Sequence, residues 1–391
     1  MSEGPQKHLY GLQYLRAVAA IAVVAFHACS RLGVSFNVGQ SGVDLFFVLS
    51  GFLMWSITNA ETKPSEFIKG RIRRIVPTYW IATTVVLIGA NLSLFPMMRL
   101  SLFHTLTSYL FIPATSPSSD QIWPLLVPGW TLNYEMFFYL IFTLVLFLFR
   151  GAQIAALSVI FLGLTGLGLF GRPSLVLLEF YGQPIILEFL AGVLIARFWW
   201  NAHLTLVWGL AAIVLAVLWI VAATLYYPAS PRILAWAPPA FLLVLGMLLT
   251  ERFGAMPRIP LLNQLGDASY SIYLWHTLAI SVALGVVHRL APPLPLSVFV
   301  LILTGVSVGL VAYHMIELPI RQWMARRNKM GNAGSIADEL WHRCRSPILP
   351  RRTIDGKWTS RFGQTWRRKR DGNWEYREDN ERIDDFYGRQ H

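Results

Sequence analysis

Arg16 and His27, in the first apolar segment of the chain, are side chains that could bind anions and carry out acid–base chemistry. In an α-helix their spacing is just over three turns, so both project from one face, about 16 Å apart along the axis. An ionisable group inside a membrane helix is a functional candidate, because its uncompensated burial costs at least a few kcal/mol. The structural alternative is that Arg16 extends to the lipid headgroups and His27 donates to a backbone carbonyl.

Two carboxylates are predicted at the same depth as His27. Asp44 lies at the start of the second apolar segment, and Glu135 lies about one turn into a later segment that opens at Trp130. A carboxylate that accepts a hydrogen bond from an imidazole fixes its tautomer and stabilises the imidazolium, which makes histidine a general base. His27, Asp44 and Glu135 therefore form a predicted outer cluster, although Asp44 could serve only the helix macrodipole.

A basic segment follows the second apolar segment and contains Arg71 and Arg74. Over residues 67–76, apolar and basic side chains are distributed as in an amphipathic helix on the inner membrane surface. Side chains three residues apart are neighbours on such a helix, so the two guanidinium groups could together bind a phosphate-bearing ligand. They could equally bind anionic lipid headgroups, and the spacing does not distinguish the two.

Polar side chains near the end of the apolar region add to this pattern. Tyr270, Tyr273 and His276 are three residues apart and share one helix face, and Glu317 lies at the end of the last apolar segment. The predicted inner cluster comprises Arg16, Arg71, Arg74, Tyr270 and Glu317, with His276 between the two clusters. An acid–base outer site and a cationic inner site indicate a donor bound from the cytosol and an acceptor met from the other side. Any one of these residues could instead be structural.

Membrane helices must position these side chains, because the composition excludes an ordinary soluble domain. Of the 391 residues, 55% are hydrophobic and 14% are charged, against roughly 25% charged in a typical soluble domain. A spanning helix needs about 20 mostly apolar residues. We therefore predict an all-α integral membrane protein with about ten transmembrane helices. The predicted spans are residues 12–30, 43–59, 77–95, 130–149, 153–171, 184–200, 203–226, 233–250, 270–288 and 295–315, with 101–112 as a short re-entrant or interfacial segment.

The charge distribution predicts the orientation and the domain organisation. About half of the 33 Lys and Arg residues follow residue 320, and most of the others fall in segments that a cytosolic N-terminus would leave on the cytosolic side. The positive-inside rule then places both termini in the cytosol. We predict a membrane domain over residues 8–325 and a short basic cytosolic tail over residues 326–391.

The tail contains an internal repeat, DGKW from Asp355 and DGNW from Asp371. Because Asp-Gly favours tight turns, a small β-hairpin element is one prediction for the tail. A solvated and partly disordered tail is the alternative. Its basic residues could contact anionic lipid or a partner protein, and nucleic acid is not the expected partner of a tail tethered at the membrane.

Six blocks of sequence, in this order, resemble one known family. They are YLRA with Arg16, followed by His27; GVDLFFVLSGFL from Gly42; FIKGRIRRIVP from Phe67; WTLNYEMFFY from Trp130; LGDASYSIYLWH from Leu265; and ELP from Glu317. The chain resembles membrane acyltransferase family 3, the multi-pass O-acyltransferases of bacterial surface polysaccharides. The resemblance covers about residues 8–325 and is strongest to the exopolysaccharide-modifying branch.

The resemblance implies transfer of an acyl group, usually acetyl, from cytosolic acyl-CoA to a sugar hydroxyl at or beyond the bacterial inner membrane. The family's helix-one arginine and histidine correspond to Arg16 and His27, and its RxxR motif corresponds to Arg71 and Arg74. We expect His27, oriented by Asp44, to act as general base or transient acyl acceptor. The three arginines would bind the CoA phosphates or the developing oxyanion.

The site and its partners can then be predicted together. The catalytic candidates are His27, Asp44, Arg16 and Glu135, and the donor-binding candidates are Arg71, Arg74, Tyr270, His276 and Glu317. Acyl-CoA is a substrate, so neither a tightly bound cofactor nor a metal ion is expected. The expected partners are acyl-CoA, a carbohydrate acceptor, membrane lipid and a polysaccharide-assembly protein. Many relatives carry a further periplasmic hydrolase-like domain, and without one we expect this chain to act alone or with a separate protein.

Two other functions stay open at the level of the sequence. One is a multi-pass transporter or flippase of a sugar or acyl carrier, because paired intramembrane charges also mark transport pathways. The other is a binding or sensor protein whose output lies in the tail.

Overall fold

The computed structural model describes residues 9–171, 175–199, 204–226 and 230–327, with the backbone of four short strands between residues 351 and 377. The chain divides into two compact units, Met1–Gln322 and Trp323–His391. The described part of the first unit is helical. Its α-helices are α1 (Tyr10–Arg31), α2 (Ser41–Ser56), α3 (Pro64–Asn91), α4 (Leu102–Tyr109), α5 (Gly129–Val145), α6 (Arg150–Phe170), α7 (Val176–Tyr181), α8 (Leu187–Phe198), α9 (Leu206–Leu225), α10 (Arg232–Arg252), α11 (Pro260–Asp267), α12 (Ser269–Leu290) and α13 (Leu294–Ala312).

Short turns and prolines set the ends of several helices. A 3-10 turn, Asn37–Gln40, leads into α2, and α13 continues through the π-helical turn Tyr313–Glu317 to Arg327. α12 ends at Ala291, whose φ of 45° is left-handed. The prolines that follow cannot continue a helix, so the chain reverses there into α13.

Seven helical segments of the described residues are long and apolar enough to cross a membrane. They are Tyr10–Arg31, Asn37–Ser56, Arg150–Phe170, Leu206–Leu225, Arg232–Arg252, Ser269–Leu290 and Leu294–Arg327. Many of their apolar side chains are exposed, as along α9, which lipid favours and water does not. The predicted multi-pass membrane class is therefore confirmed.

The predicted count of ten crossings is not established by these seven segments. The three other predicted spans correspond to α3, α5 and α8. α5 has 17 residues and α8 has 12, and α3 is 28 residues long but opens with the basic segment. The number of crossings and the cytosolic position of both termini therefore stay predictions.

The sequence predicted a separate amphipathic surface helix for the basic segment, and the structure does not contain one among the described residues 64–91. The basic segment is the first part of α3, which runs without a break through Pro77. An interior proline removes one helix hydrogen bond, and membrane helices tolerate this where neighbouring groups satisfy the freed carbonyl. One helix thus connects Arg71 and Arg74 to the buried part of α3.

The predicted short segment 101–112 contains α4, which has eight residues. Ser101 caps its start, because the Ser101 side chain accepts a hydrogen bond from the backbone N–H of His104 at 3.1 Å. A helix of this length cannot cross a bilayer.

α2 and α8 approach so closely that their backbones are in contact at two glycines. A Cβ atom on Gly51 would lie 2.0 Å from the carbonyl oxygen of Phe189, and one on Gly192 would lie 2.0 Å from that of Val48. Small residues allow this approach between membrane helices. The crossing fixes the position of Ser50 beside it.

α1 contacts α2, α10, α11, α12 and α13, so it is a central helix of the membrane unit. Its small side chains Ala17, Ala20 and Ala28 are fully buried. Small residues on α1 let its neighbours pack closely. This packing positions Arg16 and His27 within the bundle.

The second unit contains a small antiparallel sheet in the order β1-β2-β3-β4. Its strands are β1 (Arg351–Arg352), β2 (Trp358–Thr359), β3 (Thr365–Arg368) and β4 (Trp374–Arg377). The predicted β-hairpin element of the tail is therefore present as hairpin pairings between consecutive strands. The repeated Asp-Gly residues lie outside the described residues.

Candidate active site

The inner cluster predicted from the sequence lies largely in one pocket of about 90 Å³, here called the inner pocket. Its polar lining side chains are Arg16 of α1, Ser50 of α2, Arg71 and Arg74 of α3, Thr131, Glu135 and Tyr139 of α5, and Ser269, Tyr270 and Tyr273 of α12. Three guanidinium groups and one carboxylate give the described lining an excess of positive charge. Such a lining suits an anionic ligand.

Glu135 lies in the inner pocket, whereas the sequence predicted it beside His27. Its carboxylate accepts hydrogen bonds from Ser50 Oγ at 3.3 Å and from the Tyr139 hydroxyl. Glu135 is therefore grouped with Arg16, Arg71 and Arg74 in the inner pocket and not with His27 in the lining of the outer cavity. Its position in the first turns of α5 does not determine which cavity the helix face borders.

Tyr270 and Glu317, both predicted to bind the donor, lie in different surroundings. Tyr270 lines the inner pocket, and its hydroxyl donates to the Ile75 carbonyl of α3 at 2.9 Å. Glu317 is buried and is not among the described residues that line the pocket. It accepts a hydrogen bond from Ser271 Oγ at 2.6 Å and pairs with Arg321 at 3.5 Å. These contacts join α12 to the end of α13, which favours a structural role.

His27 lines a second and larger cavity of about 790 Å³, here called the outer cavity. The charged side chains of its described lining are Arg31 and Arg232, and this lining includes no carboxylate. Its neutral polar and aromatic lining includes Ser30, Gln40, His104, Ser116, Trp123, Trp130, Tyr273, Thr277 and Ser281. Aromatic faces with a few hydrogen-bonding groups are suited to a ligand such as a sugar, which has hydroxyls and apolar ring faces.

His276 packs against His27, with 5.0 Å between the ring centroids and 44° between the ring planes. It is fully buried and is not among the described lining residues of either cavity. Its Nδ1 lies 2.5 Å from the carbonyl oxygen of Tyr273. The sequence predicted that His276 binds the donor. The structure instead packs His276 against His27 and leaves it out of the described lining of the inner pocket.

Asp44 is not paired with His27 in the described structure, contrary to the sequence prediction. It is fully buried, and its Oδ2 accepts a hydrogen bond from Arg232 Nη2 of α10 at 2.6 Å. Arg232 also donates to Gln40 at 3.0 Å, and the buried Glu188 of α8 lies next to Asp44. A guanidinium satisfies a buried carboxylate better than a neutral imidazole does, because it brings a charge and several donors.

Val43 and Tyr273 line both cavities, so these two side chains form a shared wall between them. The Tyr273 hydroxyl accepts a hydrogen bond from Thr131 at 2.9 Å and donates to the Pro128 carbonyl at 3.2 Å. The ring is thereby held in place. The inner pocket and the outer cavity therefore adjoin at Val43 and Tyr273.

Several residues of the site were not predicted from the sequence. Tyr139 could have been found, because it is four residues from Glu135 and so on the same helix face. Ser50, which donates to Glu135, follows an apolar run and carries no catalytic pattern of its own. No local signal connects Arg232 with Asp44, 188 positions away.

The helical membrane fold and the two adjoining cavities define a multi-pass membrane protein with a site built inside its bundle. Residues 9–314 match the family profile of the acyltransferase domain. The chain belongs to this family and is an acyltransferase.

Two curated relatives show how far the similarity extends. The exopolysaccharide production protein ExoZ of Rhizobium meliloti is 42% identical over 317 residues, which are 80% of this chain and 99% of ExoZ. The peptidoglycan O-acetyltransferase OatA of Listeria monocytogenes is 25% identical over 376 residues, covering 81% of this chain and 56% of OatA. No solved structure gives a significant match to the chain.

Proposed function

We propose that this chain is an O-acyltransferase of the bacterial inner membrane. It moves an acyl group, acetyl by default, from cytosolic acyl-CoA to a sugar hydroxyl of a surface polysaccharide or exopolysaccharide precursor. Membership of the acyltransferase family and similarity to ExoZ and OatA support the class of reaction. The observation that carries the proposal is the pair of chemically different cavities that share the wall of Val43 and Tyr273.

The inner pocket is the proposed site of the donor. Arg71 and Arg74 line this pocket and are partly buried, whereas Lys69 and Arg73 of the same segment are exposed. If the segment bound only lipid headgroups, Arg71 and Arg74 would not need to line the inner pocket. Their position supports binding of the CoA phosphates, with Arg16 as a third guanidinium in the lining of the same pocket.

The outer cavity is the proposed site of the carbohydrate acceptor. In the reaction the acceptor hydroxyl oxygen forms a bond to the thioester carbonyl carbon, and the carbon–sulfur bond breaks. His27 takes the hydroxyl proton as general base, and that proton then leaves to the CoA thiolate or to solvent. The oxyanion that develops on the carbonyl oxygen needs a hydrogen-bond donor beside the reacting carbon. Arg16 is assigned instead to binding of the donor, together with Arg71 and Arg74, because it lies about three helical turns from His27 and its guanidinium donates to Gln13 of the same helix.

The partners of the chain are part of the proposal. They are acyl-CoA and the carbohydrate acceptor as substrates, the surrounding lipid, and a polysaccharide-assembly protein that receives or presents the acceptor. No step of the proposed reaction requires a tightly bound cofactor, a metal ion or nucleic acid.

Replacing His27 with Ala tests the proposed function. In a deletion host, the wild type should restore ester groups on the surface polysaccharide, read by NMR, and His27→Ala should not. Loss of a general base lowers the rate by about 10²–10⁴-fold. His288→Ala is the matched control, because His288 is exposed and is not among the described lining of either cavity.

Membranes that contain each protein are then incubated with acetyl-CoA labelled in the acetyl group. The proposal expects label in polysaccharide and release of free CoA thiol, both dependent on His27. Full ester content with His27→Ala present in the membrane would overturn the role of His27. Movement of the carbohydrate without cleavage of the thioester would identify a transporter and overturn the proposed function.

A further inference from the structure

We propose that His276 is the positioning residue that selects the tautomer of His27 and orients its ring. This inference rests on the proposed function, because it assigns a partner to the proposed general base. It also replaces Asp44, which the sequence suggested for that role.

The tautomer of His276 follows from its contact with the backbone. A carbonyl oxygen can only accept a hydrogen bond, so Nδ1 of His276 must donate to the carbonyl of Tyr273 at 2.5 Å. A charged imidazole with no exposed surface and no described carboxylate partner would be costly. His276 is therefore neutral, and its Nε2 carries a lone pair that can accept a hydrogen bond.

Nε2 of His276 has no hydrogen-bond partner among the described residues. A fully buried acceptor without a partner costs about 1–3 kcal/mol, and such atoms in a native structure call for an explanation. Two titratable rings pack against His276, that of His27 at 5.0 Å and that of Tyr273 at 5.8 Å between centroids. The Tyr273 hydroxyl already donates its proton to the Pro128 carbonyl, so the donor that can reach Nε2 is His27.

His27 can donate to this acceptor after a rotation of its ring. The χ2 torsion of histidine is broad, so the ring turns at little cost. Hydrogen bonds of catalytic groups are often long without substrate and shorten when substrate is bound. With one nitrogen of His27 donating to Nε2 of His276, the other nitrogen is the unprotonated one, and His27 lines the outer cavity in which the acceptor is proposed to bind.

A neutral partner differs from the carboxylate of a Ser-His-Asp triad. His276 fixes the tautomer and the ring orientation of His27, but it adds no negative charge to stabilise an imidazolium. Asp44 cannot supply that charge directly, because Arg232 holds it at 2.6 Å. His276 therefore acts on the orientation of the base, so its loss should lower turnover and not donor binding.

Two amide substitutions at position 276 separate the two nitrogens of the ring. The Asn side chain places its amide near the position of Nδ1, so His276→Asn can keep the hydrogen bond to Tyr273 but has no acceptor at the position of Nε2. The longer Gln side chain places its amide near Nε2, so His276→Gln can accept from His27 but loses the bond to Tyr273. A purely structural role would favour Asn over Gln.

The experiment measures initial rates of acetyl transfer in membranes from the deletion host, with labelled acetyl-CoA and the host's own polysaccharide precursors. We expect His276→Asn to lower turnover about 100-fold, the effect of misplacing a reacting group, with an unchanged KM for acetyl-CoA. His276→Gln should remain within about tenfold of the wild type, because it keeps the acceptor. The amount of protein in each membrane and its thermal stability in detergent are measured alongside.

Three outcomes would overturn the role of His276. They are an Asn variant as active as the wild type, an Asn variant more active than the Gln variant, and losses that follow the amount of folded protein. These outcomes differ from failure of the proposed function, in which the wild type itself would transfer no label. They do not decide the role of His27, which the His27→Ala variant tests separately.

Discussion

Two neighbouring arginines of α3 differ in their surroundings and so report on what the basic segment binds. Arg74 is partly buried and lines the inner pocket, whereas Arg73 is exposed. A phosphate held inside the pocket would contact the first of these side chains, while headgroups at the membrane surface would attract both. Because the two side chains differ in exposure, replacing each of them in turn distinguishes binding of a phosphate in the pocket from binding of lipid headgroups.

Replacing Arg74 with Ala should raise the KM for acetyl-CoA by about 10–100-fold, because a hydrogen bond to a charged group is worth roughly 1.5–3 kcal/mol. Arg73→Ala is the matched control and should leave that KM unchanged. Initial rates over a range of acetyl-CoA concentrations check both. Equal changes in the two variants would mean that the segment senses the membrane surface and not a ligand in the pocket.

At the scale of single residues, helical spacing predicted some neighbours but not others. Arg16, Arg71 and Arg74 were grouped from spacing, depth and a known motif, and the structure brings them into one pocket. Depth alone paired Asp44 with His27, but depth does not say which side of the helix a group occupies. The partner of Asp44 is Arg232, and a contact across 188 residues leaves no periodic signal in the sequence.

At the scale of helices, the contact between α2 and α8 holds one side of the inner pocket in position. Ser50, which donates to Glu135, is adjacent to Gly51, where the backbones of the two helices touch. Gly192 completes the contact from α8 and has the carbonyl oxygen of Val48 within 2.0 Å of an added Cβ. A side chain at either glycine must push backbone apart, since no flexible group can yield.

Gly192→Ala should therefore reduce both the amount of folded protein and its melting temperature in detergent. Overpacking a tight contact typically costs about 1–3 kcal/mol. Gly163→Ala in α6 is the matched control, because a Cβ there meets no atom within 4 Å and alanine favours a helix. The role of this crossing would be refuted if the two variants had equal melting temperatures.

For the whole molecule, composition was enough to predict the multi-pass membrane class, because lipid requires long apolar helices. It could not predict that two cavities share a wall. Val43 is an ordinary apolar residue in the sequence, and the spacing of Tyr273 indicated only that it shares a helix face with Tyr270 and His276. Their importance arises from where α2 and α12 place them, which only the packing of the bundle determines.

The whole molecule also sets the expectation for the tail. The described lining of both cavities falls between Arg16 and Leu284, and the match to the acyltransferase family ends at residue 314. A chain truncated after Arg327 should therefore keep most of its acetyl-transfer rate per molecule, measured with labelled acetyl-CoA and corrected for the amount of protein in the membrane. A sensor whose output lies in the tail would lose that output instead. If the truncated chain is present at the wild-type amount but transfers no acetyl group, the tail takes part in the reaction or in delivery of the acceptor.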